Sequence, residues 1–503
     1  MVALLLLDAF VAAAAIMALE ILGARYAGPV FGTGIFVWSA LLAVTLSALA
    51  LGYALAGRLA ARSSGGRLLG LALLAAGAAI AIIPLTASAV LLSCIPLGPR
   101  IGPFVAIASL IGPPLVPLGG VAVLATAIRV EQQSIPPGRA IGSLYAISTL
   151  GSLVGTLTTG LWLVPSFSVH SICWGLSGFT IIFGTLSVGI RWPPLATALL
   201  LAICTSWPAT RPLEIGNFVI LESQPTHFGK LEVIKDRARD LKLLRLDHSI
   251  IGGSFSDGSP VFAFVHLLSS AASLRPEASS ALIIGLGSGG VVKPLIARGL
   301  RLHIIEINPQ VVRMARRHFG FPDLPVTVAD ARVAVREQSA RHDLIFHDAF
   351  SGGSSPSHLL SSEAIGELKA RLSDQGLLAL NFVGFPLGED TRALTSVHAT
   401  LRAHFSNVRA FQDHPPRPGE PTLSNVVFFA TDGKIETDLI AHSKGASEHE
   451  ARILKSMPAW EISPRAGSVN TDELNQLDWQ QTSIAEAHFR AMNELLPPQV
   501  WAL

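Results

Sequence analysis

A glycine-rich run and one acidic residue supply the first chemical pattern in this 503-residue sequence. Gly285-Leu286-Gly287-Ser288-Gly289-Gly290 directly follows the apolar run at 281–284. Glycines let the backbone approach a ligand closely and direct its amide N–H groups at it. Glu306 lies 21 residues beyond Gly285, the separation at which an acidic side chain meets the two ribose hydroxyls of an adenosine. The pattern therefore predicts a site for an adenosine-containing compound.

Two more acids stand where apolar runs end. Asp330 comes shortly after Val326-Thr327-Val328, and Asp348 directly follows Leu344-Ile345-Phe346. Ligands of a parallel sheet bind beyond the carboxyl ends of its strands, so acids at these positions would share one edge with Glu306. The alternative for Glu306 and Asp330 is helix N-capping or simple solvent exposure, and Asp348 could cap the turn after it.

The elements that would hold these residues alternate between strands and helices. Short apolar runs at 281–284, 302–305, 326–328, 343–346 and 377–380 are typical of strands buried on both faces, with helical stretches between them. Repeated βα units predict a mostly parallel, doubly wound sheet. Three shorter alternating runs at 218–221, 231–234 and 241–246 predict a small antiparallel sheet ahead of it.

The charged residues divide the chain into two unlike parts. Of its 37 basic and 35 acidic residues, only 11 precede residue 208, namely eight arginines and the acids Asp8, Glu20 and Glu131. The remainder of the chain has the charge density of an ordinary soluble protein. This division excludes a single globular domain, a fibrous chain and a disordered one. The net charge of +2 gives no reason to expect a nucleic acid as partner, and the three cysteines lack metal-ligand spacing, so no metal is predicted.

Six apolar stretches in the first part are long enough to cross a bilayer, at 3–22, 35–57, 68–94, 103–128, 141–164 and 171–190. Arginines follow the second, fourth and sixth stretches, which places those junctions and the N-terminus in the cytoplasm. The apolar segment at 195–207 is short for a span, and we interpret it as interfacial, which keeps the soluble part inside. If it crossed, the soluble part would lie outside.

Small residues on the fifth stretch indicate close packing between membrane helices. They include Gly142, Gly151, Gly155 and Gly160. The plain interpretation is a packed anchor bundle. Asp8 and Glu20 leave a substrate site open, because a carboxylate at membrane depth is costly and usually faces a partner or a cavity. Glu20 lies near Arg25 in the sequence, so a structural ion pair at the interface is the alternative for it.

These motifs resemble the spermidine synthase (polyamine aminopropyltransferase) family. The resemblance rests on the glycine run together with Glu306-Ile307-Asn308-Pro309, Ala329-Asp330-Ala331-Arg332, His347-Asp348-Ala349-Phe350 and Pro356-Ser357-His358-Leu359, and the run Thr471-Asp472-Glu473-Leu474-Asn475 also fits. The apolar part resembles the multi-span N-terminal region fused to some bacterial members. The resemblance implies a transmembrane helical bundle joined to an α/β Rossmann-like domain of the class I methyltransferase and spermidine synthase type, with a small β-sheet between them.

The resemblance also implies residue roles and a cofactor. Gly285, Gly287 and Gly289 would hold the methionine-derived portion of S-adenosylmethionine or decarboxylated S-adenosylmethionine, and Glu306 would hold its ribose. Asp330, with Ala331, would bind the adenine amino group. Asp348 would be catalytic, because an amine attacks the carbon beside a sulfonium only when unprotonated, and a carboxylate can accept a proton or orient the amine.

Other positions depart from the family. Its usual Gly-Gly-Gly-Asp-Gly run is here Gly285-Leu286-Gly287-Ser288-Gly289, which lacks the acid expected near an aminopropyl ammonium. The segment at 262–266 replaces the tyrosine and acids that would hold a diamine, and the loop at 351–355 lacks the family's second acid. These changes make a plain S-adenosylmethionine donor an alternative. His266, His347 and His358 border the expected cavity, and any of them is a candidate base near neutral pH. His266 and His358 are also candidate substrate residues, and the alternative for each histidine is a solvated or hydrogen-bonded side chain without a functional role.

Three functions follow as hypotheses. The first is a membrane-anchored transferase that moves an aminopropyl group to an amine, and the second is methyl transfer to, or cofactor cleavage beside, a membrane-associated acceptor. The third is a transporter or sensor with a non-catalytic nucleoside-binding domain. We expect a multi-pass protein of the bacterial inner membrane with a cytoplasmic soluble part, contact with the lipid bilayer, and allowance for a homodimer. The expected domains are residues 1–210, 211–270 and 271–503, the last with a C-terminal helical extension.

Overall fold

The computed structural model describes residues 2–501 except 33, 63–65, 134, 190–212, 351–352, 389, 415–421, 436–454, 456–458 and 461–466. The chain forms two compact units. One holds the apolar helices, residues 224–230 and the segment that begins at Leu496, and the other holds Glu214–Ser223 and the chain from Leu231 to Leu495. The sequence prediction assigned the segment after Leu496 to the soluble domain. The interfacial segment predicted at 195–207 lies outside the described residues.

The helices of the first unit are long and almost uncharged. They are α1 (Val2–Phe31), α2 (Ile35–Ala60), α3 (Gly66–Cys94), α4 (Gly98–Leu110), α5 (Gly112–Gln133), α6 (Pro137–Thr158) and α7 (Val169–Val188). A π-helical turn at Thr159–Leu163 extends α6 toward Ser166. Among the described residues, six helical stretches are long and apolar enough to cross a membrane, which agrees with the predicted number.

The predicted fourth span, 103–128, is wrong as a single helix. The chain is helical from Gly66 to Leu110 except for a 3₁₀ turn at Ile95–Leu97, and a new helix starts at Gly112. Pro113 and Pro114 explain the break, because proline has no N–H to donate and is tolerated in the first turn of a helix. The stretch that is counted as the fourth span therefore begins at Gly112.

Backbone-to-backbone packing joins α1 and α6. A methyl group added at Gly151 would lie 2.3 Å from the carbonyl oxygen of Phe10, and one added at Gly155 would lie 2.5 Å from that of Ala14. Gly142 has open space around it, so the close contact uses only part of the predicted set of small residues. Asp8 is fully buried in the same unit, where its Oδ2 accepts a 2.6 Å hydrogen bond from Ser187 on α7.

A five-stranded sheet comes first along the chain after the apolar part. Its strands are β1 (Leu213–Ile215), β2 (Phe218–Thr226), β3 (Gly229–Asp236), β4 (Leu241–Leu246) and β5 (Ser249–Phe255), in that spatial order. β3, β4 and β5 pair antiparallel, as predicted for the small sheet. The sequence prediction named three of these strands and missed β1 and β5, because β5 contains Gly252-Gly253 and lacks an apolar alternation.

A seven-stranded sheet forms the main domain. Its strands are β6 (Ser280–Ile284), β7 (Arg301–Glu306), β8 (Thr327–Val328), β9 (His342–His347), β10 (Leu372–Gly384), β11 (Asn407–Gln412) and β12 (Ser424–Thr431). Their spatial order is β11-β12-β10-β9-β6-β7-β8, with β6 parallel to both β7 and β9. After β6 the chain adds β7 and β8 on one side of that strand, and it then crosses over to place β9 on the other side. The doubly wound prediction is therefore confirmed.

Helices cover this sheet on both faces. They are α8 (Ala263–Ser269), α9 (Val292–Ala297), α10 (Pro309–Phe319), α11 (Ala331–Glu337), α12 (Ser362–Ala370), α13 (Arg392–Arg402), α14 (Leu477–Gln480) and α15 (Thr482–Leu495), and a last turn, α16 (Pro498–Trp501), follows. Alternate side chains of β6 enter different cores. Ala281 and Ile283 enter one core, and Leu282 and Ile284 enter the other. A strand buried on both faces explains the continuous apolar run in the sequence.

Candidate active site

The glycine run forms a tight loop at the carboxyl end of β6. Gly285, Gly287 and Gly289 all have positive φ angles, of 87°, 53° and 79°. A methyl group at Gly287 would lie 2.5 Å from the carbonyl oxygen of Ile251 on β5, and one at Gly285 would lie 2.3 Å from that of Asp348. Both conformation and space therefore require glycine at these two positions. The small sheet and the strand that ends at Asp348 fix the loop from two sides.

Glu306 holds the same loop from below. Its Oε2 accepts a 2.9 Å hydrogen bond from the amide of Leu286, and its Oε1 accepts one of 2.9 Å from the amide of Asn308. The side chain is buried, and this burial raises the pKa of Glu306, while the backbone donors act in the opposite direction. Backbone amides of the glycine loop and of the segment after β7 therefore hold the Glu306 carboxylate in place.

Asp348 stands at the end of β9 beside the glycine loop. Its backbone amide donates to the carbonyl of Ile284 at 2.9 Å, which continues the parallel pairing with β6. Its Oδ1 accepts a 2.9 Å hydrogen bond from Nδ2 of Asn381 on β10. Burial raises the pKa of Asp348 to about 6, although the hydrogen bond from Asn381 acts to lower it. A half-buried carboxyl group that titrates near neutrality suits general acid–base chemistry.

Asp330, the residue predicted to bind adenine, lies next to His358. Asp330 is the N-cap of α11, where its Oδ1 accepts from the amides of Arg332 at 2.9 Å and Val333 at 3.1 Å. Its Oδ2 lies 3.5 Å from Nε2 of His358. Capping therefore accounts for one oxygen of Asp330 and leaves the other directed toward the loop. Ala331 begins the capped helix and is buried.

The other two histidines occupy different surroundings. His266 is buried on α8, a helix that packs against β10 and β12. The hydrogen bond to the Asp348 carboxylate comes from Asn381 on β10. His347 is almost fully buried at the end of β9, and this burial lowers the pKa of its imidazole to about 4. A base needs a pKa near the working pH, so His347 is a poor candidate for that role.

The loop after Asp348 is held by the C-terminal segment, which sequence reasoning missed. The Gln481 side chain accepts from the amide of Ser355 at 2.8 Å and donates to its carbonyl at 3.1 Å. Asn475 donates to the carbonyl of Ser357 at 2.9 Å. Gly353 lies against the ring of His488 on α15, whose burial lowers its pKa to about 4. Asn475 ends the run at 471–475 that resembles the family, whereas no local motif marks Gln481 or His488. All three are more than 100 positions from the loop that they hold.

Comparison with known proteins gives two kinds of relative and no match to a protein-family model. A polyamine aminopropyltransferase of Vibrio vulnificus is 34% identical over 128 residues, which are 24% of this chain and 43% of that protein. An N-terminal histidine N-methyltransferase of Emericella nidulans is 27% identical over 329 residues, 57% of this chain and 58% of that protein. The chain spans about half the length of these relatives.

The chain also has matches among solved structures. A probable spermidine synthase from Corynebacterium glutamicum has 17% sequence identity and a TM-score of 0.41, and the match covers 52% of this chain and 96% of that one. The strand order and the two-sided core described above define a Rossmann-like domain. In sequence, the chain is similar to polyamine aminopropyltransferases, as the motifs predicted. The fusion to a membrane part stays a prediction, as do the roles of the individual site residues.

Proposed function

We propose that this protein is a membrane-anchored transferase that moves an aminopropyl group from decarboxylated S-adenosylmethionine to an amine. The proposal rests on the placement of Asp348 at the strand end, where its backbone borders Gly285 and its carboxylate is held by Asn381. A donor whose sulfonium lies over the glycine loop would have a carboxylate on the side from which an amine approaches. The names of the aminopropyltransferase relatives support the same chemistry.

The reaction balances with residues of this chain. The amine lone pair forms the new N–C bond as the C–S bond breaks, and the electron pair of that bond passes to sulfur to give a neutral thioether. Asp348 in its charged form accepts a proton from the amine and holds the lone pair in line with the carbon. The glycine loop and Glu306 orient the nucleoside toward Asp348.

A second candidate keeps the site and changes the group transferred. The N-methyltransferase relative spans more of this chain than the Vibrio aminopropyltransferase does. Ser288 stands where the family has an acid, and its backbone amide lies against Gly252, where an added methyl group would be 2.6 Å away. Methyl transfer from S-adenosylmethionine needs no acid for an aminopropyl ammonium. The acceptor would be a small amine or a membrane-associated molecule.

The nucleoside product separates these candidates. The full chain in detergent, incubated with each donor and a panel of amines, gives 5′-methylthioadenosine if aminopropyl transfer occurs and S-adenosylhomocysteine if methyl transfer occurs. Mass spectrometry distinguishes the two. Failure to form either product, by protein that binds the nucleoside in calorimetry, would contradict both transfer reactions and favour a sensor or a transporter.

A further inference from the structure

The strand ends on the far side of Asn381 carry a continuous line of polar side chains. β12 is antiparallel to both β10 and β11, so β10 and β11 run the same way and the start of β12 lies between their carboxyl ends. Asn381 Nδ2, which donates to Asp348, also lies 3.2 Å from Oδ1 of Asn425 at the start of β12. Asn425 Nδ2 in turn donates to Oδ2 of Asp413, just beyond β11, at 3.0 Å.

Asp413 can only accept hydrogen bonds in this line. Its Oδ1 accepts from the backbone amide of Asn425 at 3.2 Å, from Ser424 Oγ at 2.7 Å, and lies 2.6 Å from Nδ1 of His414. A backbone amide is only ever a donor, so an oxygen must face it. An ionised carboxylate is acceptor-only, so its second oxygen requires the NH₂ of Asn425 to point at it.

That requirement passes along the line to the catalytic carboxyl. With its NH₂ turned to Asp413, Asn425 presents its oxygen to Asn381, and Asn381 must then turn its own NH₂ toward Asn425 and Asp348. The oxygen of Asn381 is buried without a hydrogen-bond partner among the described residues, so no donor holds that end of the amide. The two ends of an amide have nearly the same shape, and the hydrogen-bond partners determine which end faces which way.

We propose that Asp413 is a remote positioning residue for Asp348, because it fixes, through Asn425 and Asn381, the donor face that the Asp348 carboxylate meets. The inference rests on the proposed function, in which Asp348 acts in its charged form. Asp413 touches no reacting atom. It determines which end of the Asn425 amide and of the Asn381 amide faces its neighbour. With these orientations, the Asp348 carboxylate accepts a hydrogen bond before any substrate arrives.

Other titratable groups around Asp348 do not duplicate this effect. His347 ends its own strand and His488 faces Phe350 of the following loop, at 5.5 Å between ring centroids, and burial lowers the pKa of both imidazoles to about 4. His358 lies in the same loop beside Asp330. At this edge β6 and β10 present Gly285 and Asn381, neither of which titrates.

The substitution Asp413→Asn tests the proposal. The oxygen of the new amide must still face the backbone N–H of Asn425, so its NH₂ meets the NH₂ of Asn425, which has to turn round. Asn381 follows and presents its oxygen to Asp348, which favours the protonated carboxyl. The acid limb of kcat/KM should move up by about one pH unit, a tenfold change in the ionisation constant. Asn425→Ala breaks the line elsewhere and should shift the limb in the same direction.

The matched control is Ser424→Ala, which removes one hydrogen bond from the Asp413 carboxylate. It keeps the backbone amide of Asn425, which fixes how that carboxylate is oriented. Its acid limb should coincide with that of the parent. Infrared pH-difference spectra of the full chain give a readout without turnover, because the C=O band of protonated Asp348 is the one lost in Asp348→Asn. An unchanged Asp348 midpoint in both Asp413→Asn and Asn425→Ala overturns the inference. A shifted midpoint in protein that forms no nucleoside product upholds it while the proposed function fails.

Discussion

A carboxylate that accepts a proton from an amine has to be charged when the amine arrives. The substitution Asp348→Asn keeps the size of the side chain and much of its capacity to cap a turn, but it removes the charge and the basicity. We expect turnover to fall by about 10² to 10⁴, the usual contribution of a positioned acid–base group, while folding and nucleoside binding persist. Turnover within a few-fold of the parent, at saturating donor, would move the search for the base to His266 and His358.

The same residue predicts a pH profile. Burial raises the pKa of Asp348 to about 6, so its charged form predominates above that pH and is lost as the pH falls through it. Activity that needs the charged form should therefore be complete above about pH 7 and decline with a midpoint near 6. The measurement is kcat/KM against pH with a fixed amine concentration, corrected for the ionisation of the amine. An acid limb near the ordinary aspartate value of about 4 would contradict the burial argument.

We assign two functions to the side chain of Glu306. Its carboxylate holds the amides of Leu286 and Asn308, and we predict that it also binds the ribose. Glu306→Ala should weaken nucleoside binding by about 1.5 to 3 kcal/mol, the range for lost hydrogen bonds to a charged group. Calorimetric titration with S-adenosylhomocysteine measures this effect, and the melting temperature of the unliganded variant shows how much of it comes from the loop. Unchanged affinity would remove Glu306 from the site.

At the scale of elements, the loop after Asp348 depends on the C-terminal segment. Gln481 holds both backbone groups of Ser355, so Gln481→Ala removes two buried hydrogen bonds worth about 1 kcal/mol each. We expect faster hydrogen exchange at residues 353–359 and faster proteolytic cleavage there, with the sheet unaffected. Gln480→Ala is the matched control, because it shortens the neighbouring side chain without touching Ser355. Equal exchange in the two variants would show that Gln481 does not hold the loop.

The parts of the fold that follow local rules were accessible from the sequence. Buried parallel strands appear as continuous apolar runs, and the acids at 306, 330 and 348 mark where three of them end. The β11–β12 pair was missed, because its partner strands are chosen by long-range pairing. Asp413 and Asn425 were missed for the same reason, since their roles depend on strand order. The break at Gly112 was predictable from Pro113 and Pro114, but hydropathy alone conceals it.

At the scale of the whole molecule, the six apolar helices and the arginine distribution predict an orientation. We expect the N-terminus and the soluble part on the cytoplasmic side, since arginines follow the second, fourth and sixth predicted spans. Fusing alkaline phosphatase or a fluorescent protein after residue 207 tests this. Strong phosphatase activity there would reverse the assignment of the soluble part, and fusions after residues 62 and 139 serve as cytoplasmic references.

Gly151 and Gly155 pack α6 against the backbone of α1, and we expect this contact to lie within the bilayer. When such helices separate inside a bilayer or a micelle, the surfaces that part are taken up by hydrocarbon and not by water. The heat capacity of unfolding in soluble proteins comes from hydrating newly exposed apolar groups, and little of that hydration occurs here. For the full chain in detergent, we therefore expect two calorimetric transitions. One should show the large heat-capacity increase of a soluble domain, and the other should show almost no change in heat capacity.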